Sequence, residues 1–139
     1  MKQLIITRGI PASGKSTWAK EWVAEDPDHR VRVNRDELRH MLFNKWHGVN
    51  EDVVTSVERA AVIAAIRSGQ SVVVDATHLH PRSLRPWLDM ADRFSALFVV
   101  RDFDVPDEEA IERDANRAKP VGGDVIRIMR EKRNRLQIS

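Results

Sequence analysis

The sequence predicts an α/β fold: one domain whose parallel sheet is flanked by helices, with a helical lid towards the C-terminal end. Three observations carry this. Short β-branched runs alternate with longer segments of helical periodicity along all 139 residues. A glycine-containing turn, G-I-P-A-S-G-K-S-T at residues 9–17, follows directly on the apolar run Leu4, Ile5 and Ile6. Charged and hydroxyl side chains recur just after the β-branched runs, at the carboxyl ends of strands where open parallel sheets meet their ligands.

The elements follow in order. The first strand is read at residues 3–7, and the first helix opens at Lys15 and runs to about 24. Residues 31–33 make a short second strand, residues 35–43 a short helix, and residues 44–49 a loop. A long amphipathic helix is expected over 51–68, with Val54, Val57, Ala61, Ile63, Ala64 and Ala65 as its apolar positions, and Gly69 ends it. Val72 to Val74 read as a buried parallel strand with Asp75 at its end. Pro81 opens a helix to about 93, residues 96–100 are the fourth strand, and Pro106 starts a helix to about 117. Residues 119–123 break the chain, and Asp124 caps a last helix. Strands separated by helices join in parallel through right-handed crossovers.

Composition is that of an ordinary globular protein, 42% apolar and 32% charged. No segment approaches the ~20 apolar residues of a membrane span, and the N-terminus lacks a secretory core, so no membrane partner is expected. Cysteine is absent, which excludes disulfides and cysteine-based zinc sites and agrees with a cytoplasmic setting. Net charge is only +2, but residues 127–135 carry Arg127, Arg130, Lys132, Arg133 and Arg135 against Glu131. Helical spacing spreads these around several faces, as in a solvated terminal helix.

The turn at residues 9–17 matches G-x-x-x-x-G-K-[ST], a phosphate-binding loop, with a strand before it and a helix after it. Gly9 and Gly14 let the backbone curl so that successive N–H groups converge on phosphate oxygens along a loop that includes Pro11, Ala12, Ser13 and Thr17. The helix opening at Lys15 adds its positive end. Lys15 is suited to the β- and γ-phosphates of ATP or another nucleoside triphosphate, and the Ser16 hydroxyl to Mg²⁺.

The remaining candidates collect on the same rim. Asp36, in N-R-D-E-L-R, is placed either to take a proton from an acceptor hydroxyl or to cap the helix it opens. Arg39 lies on roughly the same helix face and either forks onto an acceptor phosphate or simply pairs with Asp36. Asp75, in V-V-V-D-A-T-H, stands where an acidic strand end holds Mg²⁺ through water, and Arg35, Thr77 and His78 extend the acceptor side. Asp75, His78 and His80 also read as a metal cluster or as solvated loop positions. Arg113 and Arg117 project from one helix face, either as cations that close over the γ-phosphate or, with Glu109, as a surface ion pair. Trp18 and Trp22, four residues apart, suit packing, whereas Trp46 and Trp87 are open to stacking on a nucleobase.

Together these residues resemble the 5′-kinase domain of the phage and bacterial polynucleotide kinases, which heal nucleic-acid ends. The resemblance rests on G-x-P-x-S-G-K-S-T-W-A at residues 9–19, N-R-D-x-x-R at 34–39 and D-A-T at 75–77. It continues through F-D-V-P at 103–106, R-x-x-x-R at 113–117 and D-V-I-R-x-M at 124–129. It spans essentially the whole chain. It implies a P-loop kinase domain over residues 1–139 that transfers the ATP γ-phosphate to a 5′-hydroxyl of DNA or RNA with Mg²⁺. Lys15 and Ser16 would hold phosphates and metal, Asp36 would be the general base, and Arg39 would contact the acceptor phosphate. Arg113 and Arg117 would be lid residues, with Arg117 catalytic alongside Lys15 and Asp36. Two departures stand out. The stretch between Arg39 and the long helix is short, implying a more open acceptor tunnel. No D-x-D-G-T sequence marks a phosphatase domain, so 3′-end healing would fall to a separate phosphatase or ligase partner. Relatives also leave room for a homo-oligomer.

Two other readings compete. A kinase of nucleosides, sugars, aminoglycosides or cell-wall precursors, similar to the zeta toxins, would share the loop and the aspartate after strand two. A non-catalytic ATP-binding module would share the loop but would not need Asp36 or Arg117.

Overall fold

β-Branched runs become strands and the polar, capped segments between them become helices. The computed structural model describes residues 1–10, 12–77 and 81–103. Its elements are β1 (Gln3–Arg8), α1 (Lys15–Glu25), β2 (Arg30–Asn34), α2 (Arg35–Phe43), α3 (Glu51–Arg67), β3 (Ser71–Asp75), α4 (Pro81–Arg93) and β4 (Leu97–Asp102). The expected helix over 106–117, the final helix and the lid lie outside the described residues, as do Pro11, His78, Arg113 and Arg117.

The described strands form one parallel sheet in the order β2-β3-β1-β4. The chain leaves β1, crosses past β3 to β2, returns to β3, and then crosses to the far side of β1. The crossovers therefore diverge between β1 and β3, the kind of switch point at which such sheets bind ligands. Strand period two sends alternate side chains to opposite faces. Leu4, Ile6, Val72 and Val74 enter a core with Val62, Ala65 and Ile66 of α3 and Trp87, Met90 and Ala91 of α4. Ile5 and Val73 turn the other way onto Ala19 and Trp22 of α1. Covered on both faces, β1 and β3 form the rigid centre that presents the site.

Two expectations need correction. The fourth strand is not 96–100 but Leu97–Asp102, because it stays in register with β1 as far as the pair Arg8–Asp102. The buried stripe of α3 is Val54, Glu58, Val62, Ala65 and Ile66, while Ala64 is exposed and Val57, Ala61 and Ile63 are half-buried. A glutamate standing inside the stripe breaks the apolar pattern that the sequence displays. No helix among the described residues is long and apolar enough to cross a membrane.

Candidate active site

The phosphate loop is built from backbone. Thr7, fully buried at the end of β1, donates through Oγ1 to the carbonyls of Val74 (3.3 Å) and Ala76 (3.1 Å) and accepts from the Ala76 N–H (3.1 Å), fastening the ends of β1 and β3 together. Gly9 continues from that latch, its N–H donating to Thr77 O at 3.2 Å. Here glycine is required by space: a Cβ would lie 2.7 Å from the Phe103 carbonyl oxygen and 2.9 Å from Ser13 Oγ. Ala12 (φ 63°) and Gly14 (φ 101°) both occupy the left-handed region, so the curl passes through one residue that bears a side chain. α1 then starts at Lys15, whose buried ammonium donates to Gly9 O (2.8 Å), Ile10 O (2.7 Å) and Ser13 Oγ (3.4 Å). The cation lies over the loop rather than in solvent.

One turn of helix begins the metal-side chemistry. Ser16 Oγ donates to Asp75 Oδ2 at 2.9 Å, so the two oxygen groups expected to share a cation are brought together. Asp75 is 1% exposed. Its Oδ2 also accepts from Asn34 Nδ2 (3.0 Å) and from Arg32, through Nε (2.9 Å) and Nη2 (2.8 Å). A buried carboxylate needs such partners. With Oδ2 crowded by donors, contact with a cation through water suits Asp75 better than direct ligation. A hydroxyl beside an anchored carboxylate, both hard oxygen donors, fits Mg²⁺, which is commonly held by few protein groups plus phosphates. Among the described residues no three His, Cys, Asp or Glu side chains cluster as a metal cage.

The side expected to take the acceptor is built from side chains. Asn34 ends β2 and caps α2, its Oδ1 accepting from Glu37 N–H at 2.8 Å, so the cap belongs to Asn34 and not to Asp36. Asp36 is thereby released to face the cavity, half exposed, and Arg39 Nη1 donates to its Oδ1 at 2.6 Å. Arg39 also donates to Glu51, through Nε at 3.1 Å and Nη2 at 2.8 Å. Arg35 reaches the same helix, donating to Glu58 Oε1 (2.9 Å), Thr55 Oγ1 (3.0 Å) and Glu51 Oε1 (3.1 Å). The hydrogen bond from Arg39 holds the Glu51 carboxyl below the ordinary carboxylate value, and the same bond raises Arg39. Burial pushes Glu58 up, against the pull of Arg35.

Between α2, α3 and α4 lies a cavity of about 310 Å³. Four arginines (Arg35, Arg39, Arg59, Arg82) and two carboxylates (Asp36, Glu58) line it, and Thr77 stands at its sheet end. Trp87 is 4% exposed and packs in the core, and it also lines the cavity. Trp46 stacks on His40 with ring centroids 4.2 Å apart. Trp18 and Trp22 stack at 6.3 Å and pack as expected, with Arg101 lying 4.5 Å over Trp18.

The AAA_33 family, described as an AAA domain, matches residues 4–136. The chain belongs to that family. It is similar to a putative bifunctional polynucleotide kinase/RNA ligase of Autographa californica nuclear polyhedrosis virus, 31% identical over 84% of this chain and 18% of the relative. It is also similar to the L-seryl-tRNA(Sec) kinase of Methanococcus maripaludis, 26% identical over 93% of this chain and 51% of that enzyme. Among solved structures, a chain of the Pnkp1/Rnl/Hen1 RNA repair complex superposes with a TM-score of 0.85 at 30% identity, covering 99% of this chain and 45% of its own. The Mycobacterium tuberculosis APS kinase CysC, at 20% identity and a TM-score of 0.63, shares the fold. The chain thus spans about half or less of the length of these curated relatives. The resemblance to polynucleotide kinases is borne out, and the P-loop kinase fold of this AAA_33 chain implies nucleotide binding.

Three residues that the structure brings to this candidate site escaped the sequence reading: Arg32, Glu51 and Glu58. Arg32 had one available signal, a cation inside the strand R-V-R-V-N on the opposite sheet face from Val31 and Val33. Glu51, Thr55 and Glu58 had another, their spacing along one face of α3.

Proposed function

We propose that this chain is a polynucleotide 5′-kinase domain, transferring the γ-phosphate of ATP to the 5′-hydroxyl end of DNA or RNA. The observation that carries the reading is the position of Asp36. It lies in the mouth of an arginine-lined cavity, on the turn that Asn34 ties directly to the Ser16–Asp75 pair beside the phosphate loop. A donor triphosphate on the loop and an acceptor in the cavity would then meet between those two carboxylates. The names of the viral kinase/ligase and of the RNA repair complex support nucleic acid as the acceptor class.

In this reading the loop N–H groups and Lys15 bind the β- and γ-phosphates. Lys15 exchanges its loop carbonyl partners for phosphate oxygens. Arg39 orients Asp36, whose outer oxygen accepts the proton of the 5′-hydroxyl as that oxygen bonds to the γ-phosphorus. The bond from the γ-phosphorus to the β,γ-bridging oxygen breaks, and ADP departs with that oxygen. Ser16 and Asp75 would hold Mg²⁺, which when bound neutralises charge building on the phosphates. Arg113 and Arg117 are assigned the lid role over those phosphates. Arg35, Thr77 and His78 complete the acceptor side. Within residues 1–139 we assign one kinase domain, with a ligase or phosphatase chain as its partner in end healing.

The test is direct: labelled ATP, Mg²⁺ and a 5′-hydroxyl oligonucleotide, beside a panel of nucleosides, sugars and aminoglycosides. Label on the oligonucleotide 5′ end is expected. Label on a panel metabolite with none on the oligonucleotide would make the chain a small-molecule kinase, and binding of ATP without transfer to either would make it a non-catalytic module.

A further inference from the structure

The arginines of the acceptor cavity differ in how they are engaged. Arg35 is committed to Glu51, Thr55 and Glu58, and Arg39 to Asp36 and Glu51. Arg59, which lines the same cavity from α3, is exposed and makes no hydrogen bond or ion pair among the described residues. Its place on the helix is informative. Thr55 and Arg59 are four residues apart, so they follow one another up the same face of α3, the face that Arg35 grips at Glu51, Thr55 and Glu58. From Glu51, where Arg39 docks, to Arg59 is eight residues, or about 12 Å along the axis. Arg59 therefore stands at the opposite end of the cavity wall from Arg39. The cavity volume of about 310 Å³ lies at the small end of ligand pockets, roughly 300–1,000 Å³. A strand whose 5′-terminal nucleotide fills it must pass the rim.

We propose that Arg59 contacts an acceptor phosphate, gripping the one that lies one nucleotide 3′ of the phosphate next to the reacting sugar. The site would thereby favour a polymer over a mononucleotide. This rests on the polynucleotide kinase reading above. The chemistry is that of a solvated guanidinium meeting a backbone phosphate, which positions a strand without reading its sequence. Arg59 also pulls the neighbouring Glu58 carboxyl down, against the upward push of its burial.

The experiment compares two 5′-hydroxyl acceptors, a nucleoside 3′-monophosphate with one phosphate and a dinucleotide 3′-monophosphate with two. Wild type, Arg59→Ala and Arg59→Glu are measured at several salt concentrations. Arg59→Ala should lower kcat/KM on the two-phosphate acceptor about tenfold, the low end of the worth of a hydrogen bond to a charged group, and leave the one-phosphate acceptor unchanged. The salt slope of the larger acceptor should flatten by about 0.7, one single-strand phosphate contact. Arg59→Glu should lose more than Arg59→Ala on the larger acceptor. Equal losses on both acceptors would overturn the proposal and place Arg59 against the terminal nucleotide, and unchanged rates on both would remove it from the acceptor path. Wild-type enzyme that phosphorylates neither acceptor defeats the kinase reading itself, an outcome visible without any variant.

Discussion

The two halves of the site are made of different material. On the donor side, a loop pinned by Thr7 and Gly9 holds its shape through main-chain bonds and left-handed residues, and buried side chains (Lys15, Asp75) complete it. On the acceptor side, two helices are held apart and in register by guanidinium–carboxylate bonds running from Arg35 and Arg39 to Glu51 and Glu58. Backbone geometry is specified within a few residues, whereas an ion-pair lattice draws its partners from different elements. A phosphate donor is always the same shape, and a fixed cradle suits it. In the proposed reading an acceptor strand enters and leaves, and side-chain contacts on exposed helices yield more readily.

The comparison has consequences that single substitutions expose, beginning with the largest. Lys15→Ala should abolish phosphoryl transfer, since it removes the ammonium that lies over the loop; turnover near wild type would break the donor-side assignment. Asp36→Asn should keep ATP affinity and lose roughly 10²–10⁴ in turnover, the range of a general base. Single-turnover rates with saturating acceptor measure this, and loss of ATP affinity at full turnover would make Asp36 structural instead. Gly9→Ala sharpens the claim that the donor side is rigid. Its Cβ meets main chain at Phe103, so it should cost about 1–3 kcal/mol of stability, the usual penalty of overpacking, and weaken nucleotide binding together with it. Urea unfolding and nucleotide titration should move in step.

The smallest effect belongs to the acceptor side. Burial raises Glu58 above the ordinary glutamate value of 4.5, so the folded chain holds that proton more tightly than the unfolded chain. Stability from this group is therefore lost as pH rises from about 4.5 through the raised folded value. Glu58→Gln cannot ionise, and its stability should gain on wild type across that window while matching it at lower pH. Urea midpoints at a series of pH values decide this: a constant difference would mean that folding leaves Glu58 unshifted, and wild type gaining on the variant as pH rises would mean that Arg35 holds it ionised.

The same contrast explains what the sequence made legible. Residues 9–17 declared their geometry because glycine, lysine and serine at fixed spacing have one local solution, and the sheet elements followed from period and punctuation. The acceptor lattice did not announce itself. Glu58 looks like an interruption of the α3 stripe until Arg35 is placed against it, and Arg32 looks like a surface cation until β2 lies beside β3. In the sequence Trp87 stays open to stacking because nothing in α4 alone says which side meets the sheet. Such partners are fixed by tertiary contact, which local pattern does not carry.

Asn34 ends one element and begins the next with no residue between, its two amide atoms gripping Asp75 on one side and Glu37 on the other. This junction has no slack. A single inserted residue there would rotate α2 by about 100°, carrying Asp36 off its bearing, and deletion would do the same in the other sense. The turn at residues 44–50 between α2 and α3 has no such double grip. Length variation, epitope tags or grafted recognition loops therefore belong in that turn, and the seam at Asn34 is where the chain tolerates none.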